Sequence, residues 1–585
     1  MLKLKNENEY LVLLREWCDA LIDLQITEKK NPALYGGILC PSCARVHGRC
    51  ADAMYPMMTM YRQTGDEKYL NSAKMMFQWV ENNMRRPDGS YINDTNSTWQ
   101  GITVFASVQL GECLIYHGDL LDAKTRETWT NRLDECAAFL ADFIDRVDPN
   151  INYPVTCATS LAVAAKVLGK EEYRQKSYEL AHRVIKSISE DGMIIGEGHP
   201  SGTSPFKGGE VDLGYNVEES LSSLVTYVMI SGDDSILPEI VRSMKAHLEF
   251  MLPDGAWDNS WGSRSAKWTY WGSRTSDGCQ ICYGYLGKDY PEFAEAAQRN
   301  FELYRACTYG GLLYGGPMYQ QAGELPCSHH TFCHAKTLAF MIDHDFQKPS
   351  PRVSLPRDTA QGIKYYPIPN TWLLADGDWR ATATDCNGSR LYAYGGALTM
   401  LWNKKVGPVL AASLRDYSLV EPNNMQLPQI VAPLCQTPRI ELRKDGRRYL
   451  NINDFSAEAG TQEGDSLLFR STGILRDENQ EGEYSYTVSY GLSGNTVEIR
   501  AVTNAEGASY RLPVIFPADQ QYTIDGGNVS LQRGSYTIKL EANTDVAVTD
   551  TGTERVFHPV GGFQTVPFEI PMNPGEELVI RLSVE

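Results

Sequence analysis

The sequence predicts an α+β multidomain chain. An N-terminal (α/α)6 toroid would occupy residues 1–346, a linker 347–358, and a C-terminal antiparallel β-sandwich 359–585. Three observations predict this. A glycine turn recurs at Gly65, Gly118, Gly169, Gly232 and Gly287, at spacings of 53, 51, 63 and 55 residues. Around those turns, apolar segments alternate with amphipathic ones at helical period, and both features stop after Phe346. Beyond QKPSPRVSLPRD, residues 347–358, the period shortens to about two and turns become frequent.

An opening helix is expected near Glu7 to Gln25. The apolar helices begin near Arg49, Trp99, Tyr153, Tyr215, Arg274 and His329. Their amphipathic partners include Glu67 to Asn82, Thr125 to Asp145, Glu171 to Ser189, Ser235 to Met251 and Tyr290 to Arg305. In the fourth apolar helix Val217, Leu221, Leu224, Val225 and Val228 share one face. Each glycine stands where a helix C-cap belongs. Six such pairs close into a ring with the apolar set inside and the amphipathic set outside. Downstream, TWLLADGDWRATATD, LYAYGGALTMLW, YSYTVSYGLSGNTVEIRAV and GEELVIRLSVE alternate as half-buried strands. They assemble no catalytic cluster, so that domain reads as support.

At 585 residues the chain exceeds what one core holds. A net charge of −19 argues against nucleic acid as a partner and requires local cations wherever an acidic ligand binds. No run of about 18 apolar residues is present, so no membrane span is expected. The start, MLKLKNENEYLVLLREW, lacks the apolar core and cleavage site of a secretory signal. The expectation is a cytoplasmic protein, or a periplasmic one if a leader has been trimmed. Homo-oligomerisation stays open. Of 14 cysteines, Cys113, Cys136, Cys157, Cys307 and Cys333 fall inside apolar patterns and read as reduced thiols. Cys40, Cys43 and Cys50 form C-x2-C-x6-C, with His47 as a possible fourth metal ligand. Without a second C-x2-C pair this reads as packing at a helix start, and neither metal nor cofactor is expected.

Function concentrates in WDNSWGSRSAKWTYWGSRTSD, residues 257–277, which holds four tryptophans and three cations. Aromatic faces suit sugar rings and guanidinium groups suit carboxylates, so an acidic saccharide is the expected ligand. Trp261, Arg264, Lys267, Trp268, Trp271 and Arg274 are the candidate contacts. In a toroid the inner-helix starts meet at one mouth, which adds His47, Arg49, Trp99, Asn216 and His329 to the binding set. Asn96 and Asn152 read as backbone caps. Glu218, on the Tyr215 face at i+3, and Asp277 are the candidate acid–base pair for glycoside hydrolysis, with Asp212 and Glu197 in reserve. Tyr215 and His330 complete the catalytic candidates, and His334, one turn deeper, reads as core. With Asn216 and His329 they alternatively serve β-elimination, in which Tyr or His takes the proton beside a uronic carboxylate that Asn or His neutralises.

GYNVEES, SWGSRSAKWTYWGSRTSDG and HHTFCHAKTLAF, within an α/α repeat followed by a β domain, resemble glycoside hydrolase family 154. The domain plan is also similar to that of heparinase II/III-like polysaccharide lyases. The first resemblance implies a β-glucuronidase-type hydrolase acting on glucuronic-acid-containing glycans. The second implies a lyase acting on the same class of sugar. A glycan-binding protein without catalysis is the third reading.

Overall fold

The computed structural model describes residues 8–197, 210–265, 270, 275–385, 393–411, 436–462, 467–517, 519–549, 556–558 and 561–585. Its first half is helical: α1 (Glu9–Asp23), α2 (Met54–Thr64), α3 (Glu67–Asn83), α4 (Thr103–His117), α5 (Ala123–Phe143), α6 (Asn152–Leu168), α7 (Glu171–Val184) and α8 (Leu213–Tyr215). A single π turn (Asn216–Ser220) joins α8 to α9 (Leu221–Ser231), followed by α10 (Leu237–Leu248), α11 (Gln280–Leu286), α12 (Pro291–Ala306) and α13 (Ser328–Asp343).

The inner ring closes. α2 packs on α4, α4 on α6, α6 on α9, α9 on α11, α11 on α13, and α13 returns to α2. Inner helices α4 and α6 are buried over most of their length, whereas outer α3 and α7 bury one stripe, as the alternating sequence pattern requires. α1 pairs with α13 as the sixth outer helix, so the first and last elements share the closing seam. The second and fifth inner helices begin later than the sequence suggests, at Thr103 and Gln280, because the preceding polar residues form mouth loops.

Three of the five repeated glycines end helices in the left-handed conformation: Gly65 (φ 67°), Gly169 (φ 69°) and Gly232 (φ 75°). Gly118 (φ −61°) and Gly287 (φ −62°) turn the chain in right-handed geometry. At Gly287 closeness explains the residue, since a Cβ would lie 2.8 Å from Ala294.

Among the described residues the second half holds three antiparallel sheets. A five-stranded meander runs from Gly362–Tyr366 to Gly407–Ala411. An eight-stranded sheet and a six-stranded sheet follow, and all three share one core that includes Trp379, Phe469, Tyr510 and Phe568. The domain is pinned to the toroid by buried polar contacts. Asp258 meets Arg357 at 3.4 Å and accepts from Thr382 Oγ1, and Trp402 Nε1 donates to Asp254 at 2.9 Å. Among the described residues no helix is long and apolar enough to cross a membrane.

The glycine contrast gives a test. Gly65→Ala forces a side chain into left-handed backbone and is expected to lose about 1–2 kcal/mol, although nothing crowds the position. Gly118→Ala, with only Arg126 Nε at 3.8 Å, is expected to be neutral or to gain roughly 0.4–1 kcal/mol. Denaturant melts of the two variants check the order.

Candidate active site

The mouth is best organised at the turn into α8. Asp212 caps that helix: Oδ1 accepts from the Tyr215 N–H at 2.9 Å, and Oδ2 accepts from the Arg264 N–H and the Asn259 amide, both at 3.0 Å. Asn259 Oδ1 in turn accepts from the Leu213 N–H at 2.9 Å. One carboxylate thereby fixes the loop after α10 to the start of α8. Gly262 makes the approach possible, because a Cβ there would lie 2.2 Å from Asn259 Oδ1.

This frame orients Tyr215, which is 6% exposed. Its hydroxyl lies 3.2 Å from Thr275 Oγ1, and the Arg264 guanidinium sits 4.6 Å over its ring. Arg264 Nε also lies 3.3 Å from Glu197 Oε2. Glu197 Oε1 accepts from the Asn152 N–H at 3.0 Å. Trp99 stands half-buried beside this group, edge-on to Tyr153 at 5.2 Å. Burial pushes the Tyr153 phenol up to about 12.

Below the mouth the toroid axis is filled by charge. Arg49 holds Asp52 at 2.6 Å, Asp277 at 3.4 Å and Glu219 at 3.6 Å, donates to the Thr275 carbonyl at 2.7 Å, and stacks 4.2 Å over Phe105. Lys336 donates to Asp277 at 2.8 Å and lies 3.7 Å from Glu112. The Gln109 amide bridges them, its oxygen accepting from Lys336 and its nitrogen donating to the Asp52 carbonyl. Two cations thus face four carboxylates out of reach of water. Burial pushes Glu219 up to about 8 and Glu112 up to about 7, and raises Asp52. Two neutral acids leave the cluster close to charge balance.

The structure corrects several expectations. Glu218 is fully buried, with Oε1 accepting from Tyr304 and Oε2 from Ser276, both at 2.8 Å, and His334 at 3.6 Å. Asp277 is the shared partner of Arg49 and Lys336. Both carboxylates are thus engaged by protein partners. Asn216 is turned away from the mouth and donates to the Ile194 carbonyl and to His247, each at 3.0 Å. Arg49 is engaged in the axial cluster by Asp52, Asp277 and Glu219. Trp257 packs on Tyr283 and Trp261 on Phe250, both as core residues. Asn152 does not cap its helix, because its amide donates to Glu219 at 2.7 Å. Lys267, Trp268, Trp271 and Arg274 lie outside the described residues.

Two histidines open α13. His329 is 8% exposed and stacked on Phe332 at 4.8 Å, with neither ring nitrogen hydrogen-bonded. Burial, reinforced by His47 and Arg49 nearby, holds its imidazole well below the usual range, so it is neutral. His330 is fully buried against Gly315, where a Cβ would lie 3.1 Å from its Cε1. His334 is core, its Nδ1 donating to the His330 carbonyl at 2.8 Å. His47 stands 5.1 Å from His329, but its Nε2 approaches Cys327 Sγ at 3.5 Å, so it faces a thiol cluster rather than the mouth. Sequence reading missed Glu112 and Lys336, although a charge inside VQLGECLIY or HHTFCHAKTLAF is a visible misfit.

Comparison with known proteins places these observations. Residues 14–358 match the family described as ulvan lyase N-terminal domain, and residues 363–585 match the ulvan lyase C-terminal domain. A broad-specificity ulvan lyase of Formosa agariphila is 37% identical over 594 residues, covering 98% of this chain and 93% of the relative. The fold is shared with heparinase III (TM-score 0.57, 12% identity, covering 100% of this chain and 85% of that one). It is shared too with the chondroitin AC lyase of Streptomyces coelicolor A3 (TM-score 0.51, 12% identity, 99% and 83%). These matches overturn the hydrolase expectation. The resemblance to glycoside hydrolase family 154 and the glucuronidase activity it implied are not supported, while the lyase-type domain plan is.

The neutral acids predict a pH dependence. Glu219 and Glu112 hold protons in the folded protein at pH values where the unfolded chain, at about 4.5, has released them. Their contribution is complete at low pH and is lost as pH rises through about 7 to 8. The helical domain is therefore expected to melt at lower temperature at pH 9 than at pH 6, and Glu219→Gln to flatten that fall. Melting curves of both proteins across this range check it.

Proposed function

This chain belongs to the ulvan lyase family, and we propose that it is a polysaccharide lyase cleaving a uronic-acid-containing polysaccharide, ulvan in the first instance, by β-elimination. Tyr215 is the group that moves the proton. The observation carrying this reading is the Asp212 frame, which holds a tyrosine at the mouth with a guanidinium over its ring. Arg264 stabilises negative charge as it develops on the phenol oxygen and supplies a local cation on a chain of net charge −19.

The step needs three things. A base removes the proton on the carbon beside the uronate carboxylate, the carboxylate charge is offset so that the resulting carbanion survives, and the glycosidic oxygen leaves. In this reading Tyr215 takes the proton and Arg264 draws the carboxylate. His329, neutral and with both nitrogens unengaged, is placed to hydrogen-bond the substrate from the α13 side. Tyr215 starts as a phenolate, takes that proton and passes it to the departing oxygen, and the sugar left behind carries a carbon–carbon double bond conjugated to its carboxylate.

Two variants separate this chemistry from hydrolysis. Tyr215→Phe is expected to keep the fold and lose roughly 10²–10⁴-fold in turnover of ulvan. Glu218→Gln presents an amide to the Tyr304 and Ser276 hydroxyls, so it is expected to lower stability while the folded fraction still eliminates. Ultraviolet absorbance and mass of the oligosaccharide products decide the class. Saturated products from the unaltered enzyme would overturn the reading.

A further inference from the structure

We propose that Cys40, Cys43, His47 and Cys327 bind a zinc ion that staples the closing seam of the toroid. Their ligand atoms all lie within 4.8 Å of one another. Cys40 and Cys327 Sγ are 3.5 Å apart, Cys43 and Cys327 Sγ 3.9 Å, and His47 Nε2 and Cys327 Sγ 3.5 Å. A tetrahedron with Zn–S of about 2.3 Å and Zn–N of about 2.0–2.1 Å has S–S edges of about 3.8 Å and S–N edges of about 3.6 Å. The cluster already has nearly those edges. Cys40, His47 and Cys327 are buried and Cys43 is half-buried, so four soft or borderline donors converge with little access for water.

The local chain is shaped for this. Leu39 and Val46 pair as an antiparallel bridge, and the Cys40 N–H donates to the Arg45 carbonyl at 2.8 Å. Within the turn, the Cys43 N–H donates to Cys40 Sγ at 3.4 Å, and Ala44 takes a positive φ of 51°. An N–H aimed at sulfur stabilises a thiolate, the form that binds metal. Both sulfurs of Cys-Pro-Ser-Cys then face Cys327, the residue capping α13. Cys50, which completes the sequence spacing, lies instead in the apolar core. Its place is taken by a cysteine 277 residues further on, so the spacing alone could not reveal the site.

Four protein ligands fill the zinc shell and leave no position for substrate, so the role is structural. The ion joins the segment before the first inner helix to the start of the last. It also fixes His329, two residues beyond Cys327 and 5.1 Å from the His47 ring. This inference stands apart from the lyase reading, because its readouts are metal content and stability.

The test uses the full-length chain, purified without chelator and analysed by elemental mass spectrometry. About one zinc per chain is expected, with loss of metal from Cys43→Ser and Cys327→Ser and retention in Cys50→Ser. A strong chelator should lower Tm by several degrees, and added zinc should restore it. If a cysteine variant does not fold, Co(II) added to the stripped wild-type protein still decides. Intense visible bands and thiolate charge transfer support the site, and their absence overturns it. Wild-type protein without stoichiometric metal overturns the proposal, as does a Cys40–Cys327 or Cys43–Cys327 disulfide in its intact mass.

Discussion

The structure depends on a charge cluster placed where a toroid has its weakest packing, on the axis. Arg49 and Asp52 come from the turn before α2, Gln109 and Glu112 from α4, Glu219 from the π turn before α9, Asp277 from the approach to α11, and Lys336 from α13. Asn152, at the start of α6, joins through Glu219. All six inner elements therefore contribute to one network. Buried ion pairs add little net stability, since desolvation cancels much of their attraction, but removing one partner strands the rest at high cost. Such a network specifies register: the inner helices meet in one relative arrangement, the one that satisfies these groups.

That arrangement sets what the mouth can present. The axial cluster consumes Arg49 and Asp277, which from sequence looked like a substrate contact and a catalyst, and Glu219 with them. Outside it stand Tyr215 and Arg264, held by Asp212 and Asn259. Elimination needs a proton carrier and a local positive charge, whereas hydrolysis needs two accessible carboxyl groups, and the two candidates are both occupied by protein partners.

The helical half was legible because its signals are local. Left-handed caps at Gly65, Gly169 and Gly232 require glycine, and inner helices buried on most sides read as apolar throughout. Gly118 and Gly287 fitted the spacing for other reasons, one in open right-handed geometry and one beneath Ala294. The tryptophans misled because a flat aromatic suits a sugar and a domain interface equally well. Trp257 and Trp261 became core, packed on Tyr283 and Phe250, in the same loop through which Asp254 and Asp258 anchor the β domain. What determines Glu218 is Tyr304, 86 residues away, and no periodicity reports a pairing of that range.

One misreading has a backbone cause. In a regular α-helix, at 3.6 residues per turn, Glu218 shares the Tyr215 face, and the acid–base assignment rested on that spacing. Here the segment is a π turn, with the Leu221 N–H donating to the Asn216 carbonyl five residues back. A wider turn moves the same-face neighbour from three or four residues on to four or five. Glu219 therefore falls below Tyr215 and meets Arg49, while Glu218 rotates outward to Tyr304 and Ser276. A single extra residue in one turn thus separates the two glutamates: it gives one to the axial charge balance and the other to the packing between rings.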